Sequence, residues 1–286
     1  MTSELHEFAR FIAPLQRRPE SRMANVGADE IGIVKDLEEF GTELFVDRDG
    51  TGDIVGAAGF DFDEPLQRGF LYGPWSIEDG WEERAAQLLE RVLAAVPATA
   101  QSLELAFDTE NLRAATFADK HGFELVRDHF TMGFSRDDRA LEPDPDIREM
   151  SEDDRSEVME LHERCFEGTW PSGEQLIEQL GKGPDRRIFV IHVDGKLAGY
   201  HFATVERATG EAFVDNIGVD EAIRGRGLAT RLLIHGLWWM FSFDEIRVIE
   251  LSVRQENTAA LRVYENAGFR KLWAIRQMRM PVPTRP

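Results

Sequence analysis

The sequence predicts an α/β (α+β) protein built from two tandem domains, each a mixed sheet flanked by helices. Three observations carry that expectation. First, 286 residues leave room for two domains of about 150 residues, each with its own core. Second, the halves repeat one another. Leu103-Glu-Leu-Ala-Phe107, Asn111 and Gly122-Phe123 recur as Ile249-Glu-Leu-Ser-Val253, Asn257 and Gly268-Phe269, at one offset of 146 residues, and Asp53-Ile-Val-Gly56 recurs as Lys196-Leu-Ala-Gly199 at an offset of 143. A shared order with a small gap is the trace of a duplicated unit. Third, apolar runs of strand length alternate with segments of helical period.

The border falls where that periodicity stops. Arg136 to Asp146 is polar and carries Pro143 and Pro145, which is linker composition. This assigns residues 1–138 to a first domain, 139–146 to a linker and 147–286 to a second. Residues 1 to 40 look mainly helical. In the second half, Ile147 to Met150 reads as a short strand and Glu152 to Phe166 as a helix with Val158, Leu161 and Cys165 on one face. Gln175 to Leu180 is a second short helix. Arg187 to Val193 and Leu197 to Glu206 are strands joined at Asp194-Gly195, a strong hairpin signal. Glu211 to Val219 is a third long strand. Ala229 to Trp239 is a helix, Val248 to Val253 a strand and Thr258 to Ala267 a helix, closed by Gly268 in a left-handed cap. A final strand starts at Phe269.

Charge and composition exclude several classes. Lys+Arg 33 against Asp+Glu 53 gives a formal charge of -20, which phosphate backbones repel, so no nucleic-acid partner is expected. The same field favours a cationic substrate, or serves solubility alone. No apolar run reaches the ~18 residues of a membrane span, and MTSELHEFAR lacks the order of a signal peptide. A single cysteine forms no internal disulfide. The expectation is a cytoplasmic monomer or homodimer without a membrane partner.

The chemistry gathers after the third strand of the second half. Ile217-Gly-Val219 ends a strand, Arg224-Gly-Arg-Gly227 turns, and Leu228, Ala229 and Thr230 open a helix. Successive N–H groups at such a turn bind anions, glycines let a diphosphate approach, and Arg224 and Arg226 add positive charge. An ordinary turn with solvated arginines is the competing reading. Asn257 follows 33 residues after Arg224, then Tyr264 two turns along the same helix, then Gly268-Phe269.

This set resembles the GNAT superfamily of N-acetyltransferases, over residues 147 to 280. The order of a degenerate first and an active second domain is similar to that of its mycothiol synthase branch. The resemblance implies a mostly antiparallel sheet, splayed between the fourth and fifth strands, with acetyl-CoA as cosubstrate in the gap and no metal. It implies that main-chain groups of Ile217, Gly218 and Val219 hold the pantetheine and acetyl carbonyl. The segment Arg224, Gly225, Arg226, Gly227, Leu228, Ala229, Thr230 would hold the pyrophosphate. Asn257 would contact the pantetheine arm, and Tyr264 would face the thioester sulfur as proton donor. Glu211, 13 residues before Arg224, matches the glutamate base of histone-type members. Asp215 lies two strand repeats on, on the same face. Either carboxylate serves as general base, or water does and both are solvated strand-end groups. Glu167 and Trp170, between the first two helices, are expected to contact a small-molecule primary amine.

Other residues read as structural. Cys165 sits on an apolar helix face. His162 and Cys165 have the spacing of metal ligands without a second pair. Trp238, Trp239, Met240, Phe241 and Phe243 read as core or interdomain surface. In the first half, Trp81-Glu-Glu-Arg-Ala-Ala86 stands against Arg224-Gly-Arg-Gly-Leu-Ala229. In that alignment both turn glycines are missing, Glu82 and Glu83 face the phosphate position, and Trp81 replaces an arginine. Tyr264 corresponds to Ala118. The first half therefore reads as a degenerate domain with a structural or gating role. The function expected is acetyl transfer to a small amine. The alternative is a non-catalytic acyl-CoA-binding regulatory or interaction protein on the same fold.

Overall fold

The computed structural model describes residues 2–77, 79–136, 140–169, 171–183 and 185–282. The first half contains α1 (Thr2–Gln16), α2 (Glu30–Glu39), β1 (Glu43–Arg48), β2 (Ile54–Asp63), β3 (Arg68–Ser76), α3 (Trp81–Ala95), β4 (Ser102–Asp108), α4 (Leu112–Lys120) and β5 (Glu124–Ser135). The second contains β6 (Ile147–Glu149), α5 (Arg155–Cys165), α6 (Gly173–Leu180), β7 (Arg186–Val193), β8 (Lys196–Glu206), β9 (Glu211–Val219), α7 (Leu228–Met240), β10 (Val248–Arg254), α8 (Thr258–Ala267) and β11 (Arg270–Pro281).

The local signals behave as their chemistry requires. Asp194 and Gly195 both hold positive φ, at 51° and 76°, which suits the two-residue turn between β7 and β8. Gly268 closes α8 at φ 111°. Asn111 and Asn257 begin α4 and α8, each accepting from the N–H three residues on, at Ala114 and Ala260. The duplication extends to element boundaries. Ser102 and Val248, Leu112 and Thr258, and Glu124 and Arg270 start their elements 146 residues apart, while Glu43 and Arg186, and Arg68 and Glu211, start theirs 143 apart.

Two compact units divide the chain. One holds residues up to Phe130 together with those from Trp273 onward; the other is Thr131–Leu272. The cuts fall inside β5 and β11, not in 139–146. In the first unit the strand order is β1-β2-β3-β4-β11. Neighbours are antiparallel except β3 and β4. Its core includes Phe8, Trp75, Leu103, Phe107 and, from β11, Met278 and Met280.

In the second unit the order is β10-β9-β8-β7-β6, antiparallel except for β9 and β10. Val158 and Leu161 of α5 and Leu176 and Ile177 of α6 pack on Ile188, Val190, Tyr200 and Phe202. Strand alternation turns His201 to the opposite face. There its ring lies against Gly236 of α7, where any Cβ would overlap it.

Candidate active site

β9 and β10 pair only where they begin. Glu211, Ala212 and Phe213 stand opposite Val248, Ile249 and Glu250, and from Val214 onward the two strands have no ladder between them. This is the expected splay between fourth and fifth strands. A bulge lies at its start. Ala203 pairs with Val214 and Phe202 with Asn216, so Asp215 is an extra residue that bends β9 and resets its alternation.

The bulge has two consequences. On the side-chain level, Asp215 Oδ2 accepts from Thr204 Oγ1 at 2.7 Å, and Thr204 stands opposite Phe213. Asp215 therefore shares the face of Phe213 and Glu211, as the sequence spacing expects. On the backbone level, the Asp220 N–H donates to the Ala198 carbonyl at 3.0 Å. Hydrogen-bonded pairs alternate along an antiparallel ladder. Gly218 is thus turned to β8, whereas Ile217 and Val219 direct their N–H and C=O groups to the side left open by the splay.

Because β9 and β10 are parallel, the segments that follow them start at one end of the sheet. After β9, Gly225 and Gly227 hold φ of 81° and 78°, and a Cβ on either would meet nothing within 4 Å. The backbone demands glycine and the space beside it is open. The first α7 hydrogen bond runs from Arg231 N–H to the Gly227 carbonyl at 3.1 Å. The N–H groups of Leu228, Ala229 and Thr230 precede it, have no intrahelical acceptor and form the positive end of the helix. Arg226 is exposed and without an ion pair among the described residues. Arg224 donates from Nε to the Val219 carbonyl at 3.2 Å. Arg231, one turn on, is spent on Asp144 and Asp146, with contacts of 2.7 and 2.6 Å. An anion at this turn therefore meets Arg224 and Arg226, not Arg231.

After β10 come Asn257 and Tyr264. Asn257 Oδ1 accepts from the Ala260 N–H at 3.1 Å, which leaves its amide N–H₂ for a second partner. Tyr264 packs its ring on Phe269, with centroids 5.8 Å apart. Its hydroxyl makes no hydrogen bond among the described residues. Burial pushes its phenol up to about 12, so the hydroxyl stays protonated at neutral pH.

The remaining candidates are less convergent. Glu211 lies where β9 is still paired with β10, and its Oε2 accepts from Thr209 Oγ1 at 2.9 Å. Four residues separate it from Asp215, roughly 13 Å at ~3.3 Å per residue. The two carboxylates therefore do not act on one proton. Glu167 is exposed in the loop after α5; Trp170 lies outside the described residues. Cys165 packs against the core of the second unit, as expected, with its thiol 3.8 Å from the Val219 carbonyl. His162 engages both ring nitrogens with protein groups, Tyr200 Oη and the Pro171 carbonyl. Trp239 stacks edgewise on Phe189 and Phe243, whereas Trp238 stays over a third exposed at 38%.

The first unit has the same scaffold in a different state. β3 and β4 also pair only at their beginnings, Arg68 to Leu71 against Ser102 to Leu105. The alignment of its turn with Arg224–Ala229 needs correction. α3 starts at Trp81 behind Gly80, whose φ is 72°, as α7 starts at Leu228 behind Gly227. Trp81 thus corresponds to Leu228, not Arg224, and Arg84 to Arg231; one turn glycine survives as Gly80. Glu82 and Glu83 do occupy the first turn. Sequence reasoning missed Arg84. It donates to Asp47 Oδ2 at 2.9 Å, to Ser76 Oγ at 2.7 Å and to the Asp79 carbonyl at 3.0 Å. A guanidinium of the chain itself lies between the end of β3 and the start of α3. No motif marks it, because its carboxylate partner, Asp47, lies 37 residues away and Ser76 and Asp79 come from the preceding strand end and turn.

The sequence model of the acetyltransferase (GNAT) family matches residues 155–269. A mycothiol acetyltransferase of Saccharopolyspora erythraea is 27% identical over 253 residues, covering 80% of this chain and 82% of the relative. One of Clavibacter sepedonicus is 27% identical, covering 80% and 81%. Among solved structures, a GCN5-related N-acetyltransferase from Sphaerobacter thermophilus superposes with a TM-score of 0.76 at 20% identity, covering all of this chain and 94% of that one. A tandem GNAT protein from the clavulanic acid biosynthesis pathway does so with a TM-score of 0.75 at 16% identity, covering 100% and 97%.

Proposed function

We propose that this chain, an acyltransferase of the GNAT family, transfers the acetyl group of acetyl-CoA to a primary amine of a small molecule, by direct attack in a ternary complex. The observation that carries the reading is a conjunction: outward main-chain groups of Ile217 and Val219 stand at the same end of the sheet as the open Gly225 to Thr230 turn. The first can hold an amide-rich arm and a thioester carbonyl. The second can hold a diphosphate.

Under this reading the Ile217 or Val219 N–H donates to the acetyl oxygen and stabilises the charge that develops there on attack. Asn257 donates to the arm. An amine must lose a proton before attack, and Asp215 or Glu211 takes it, directly or through water. Tyr264, held protonated by burial, gives a proton to the departing sulfur. Glu167, exposed in the loop after α5, contacts the amine. We read 139–146 as the border between the repeats, 147–286 as the catalytic repeat and 1–138 as a repeat without a diphosphate site. Because the relatives are mycothiol acetyltransferases, the des-acetyl form of mycothiol is the first amine to test.

The test is release of free thiol from acetyl-CoA in the presence of that amine, polyamines, amino acids, aminoglycosides and peptides. Thiol release with at least one amine supports the reading. Tight acetyl-CoA binding with no release across the panel would favour the non-catalytic alternative.

A further inference from the structure

The loop between α5 and α6 is fastened to β9 through two buried side chains that the acetyl-transfer chemistry does not use. Tyr200 on β8 and His162 on α5 are both fully buried. Tyr200 lies over Gly218, where any Cβ would overlap its ring. An aromatic ring at 200 therefore requires glycine at 218. The Tyr200 hydroxyl stands 2.5 Å from His162 Nδ1, and His162 Nε2 stands 2.8 Å from the Pro171 carbonyl. A carbonyl only accepts, so Nε2 carries the ring proton, Nδ1 is the acceptor, and Tyr200 donates to it. The next residue of α5 continues the fastening: Glu163 Oε1 accepts from the Gly173 N–H at 2.6 Å. At the near end of the loop, the Phe166 N–H donates to the His162 carbonyl at 2.8 Å. A directed chain thus runs from Gly218, between the two residues that open toward the gap, to the far end of the loop that carries Glu167.

We infer that His162 and Tyr200 are positioning residues that set the described part of the amine-side loop, residues 166–169 and 171–172, from the acetyl-binding strand. Neither residue touches the reacting atoms. The inference rests on the proposed acetyl-CoA site at β9. A hydrogen bond to a buried imidazole is not replaced by water when its partner is removed. Loss of the Tyr200 hydroxyl therefore loosens Pro171 while the ring still fills the space over Gly218.

The experiment is amide hydrogen exchange of the full chain with saturating acetyl-CoA, beside calorimetry of acetyl-CoA binding. Tyr200→Phe is expected to bind acetyl-CoA within twofold of wild type and to exchange about tenfold faster in that loop, with α7 and β10 unchanged. His162→Leu should do the same. His162→Gln, which keeps one acceptor and one donor, should restore most of the protection. Exchange in that loop within twofold of wild type in both Tyr200→Phe and His162→Leu would overturn the inference. So would faster exchange spread evenly over the second unit, which is the mark of a merely structural pair. If wild type fails to bind acetyl-CoA in the calorimeter, the β9 site itself is wrong and the inference falls with it.

Discussion

Replacing Gly227 by glutamate puts a side chain and a charge into the turn that is proposed to hold the diphosphate. The cost has two separable parts. The φ of 78° lies in the left-handed region, where any L side chain costs about 1–2 kcal/mol. A Cβ there meets nothing within 4 Å, so no steric cost adds to it in the free protein. Gly227→Ala should therefore lower unfolding free energy by about 1–2 kcal/mol and no more. The carboxylate acts only on the ligand. Two unit charges at ~4 Å with an effective dielectric of ~20 repel by about 4 kcal/mol, which is roughly a thousandfold in affinity. Gly227→Glu should lose acetyl-CoA binding by that factor while unfolding much like Gly227→Ala. Gly80→Glu in the first unit is the matched control. Its φ is 72°, and the nearest atom to a new Cβ is Arg84 Nη2 at 4.0 Å. It should carry the same backbone cost and leave binding alone. Calorimetry on the intact chain reads stoichiometry and affinity together. Two equivalent sites, or binding of Gly227→Glu within tenfold of wild type, would refute the assignment of the site to this turn.

Tyr264→Phe should lower kcat by roughly 10²–10⁴ with acetyl-CoA affinity nearly unchanged, read where chemistry is shown to limit turnover; turnover within twofold removes Tyr264 from the mechanism. Asp215→Asn and Glu211→Gln are expected to differ, because the two carboxylates lie too far apart for one proton. The variant of the true base flattens the acidic limb of the kcat/KM profile, and two unchanged limbs mean that water takes the proton. Burial holds His201 down to about 4, from 6.5. A base lowered on folding stabilises fully above pH 6.5, and that contribution, about 3 kcal/mol for 2.5 units, is lost as pH falls toward 4. His201→Phe should accordingly flatten the pH dependence of urea unfolding between pH 6.5 and 4, and an undiminished slope would place that titration elsewhere.

The sequence by itself determined the elements and their repetition. Asn111 and Asn257 cap helices because a side-chain oxygen three residues before a free N–H needs no distant partner. Gly225, Gly227 and Gly268 stand where φ must be positive, a demand written in one residue. Those signals are local, so the second unit was legible strand by strand, and the Arg224 to Thr230 turn with it. Tertiary structure alone decided what depends on pairing. The bulge at Asp215 exists only relative to β8, yet it turns Ile217 and Val219 toward the gap. Arg84 is held at the first unit's turn by Asp47, Ser76 and Asp79, and the start of α3 behind the positive-φ Gly80 moved the alignment of Trp81 by one helical turn. Asp144 and Asp146, read as linker composition, hold Arg231 at the start of α7. The last strand matches β5 in sequence position, but its residues from Trp273 onward pack in the first unit, with Ile275 to Pro281 along β4. Periodicity says which face of a strand is apolar. It does not say which edge the strand will pair with, because that choice is made by backbone groups that every residue carries alike.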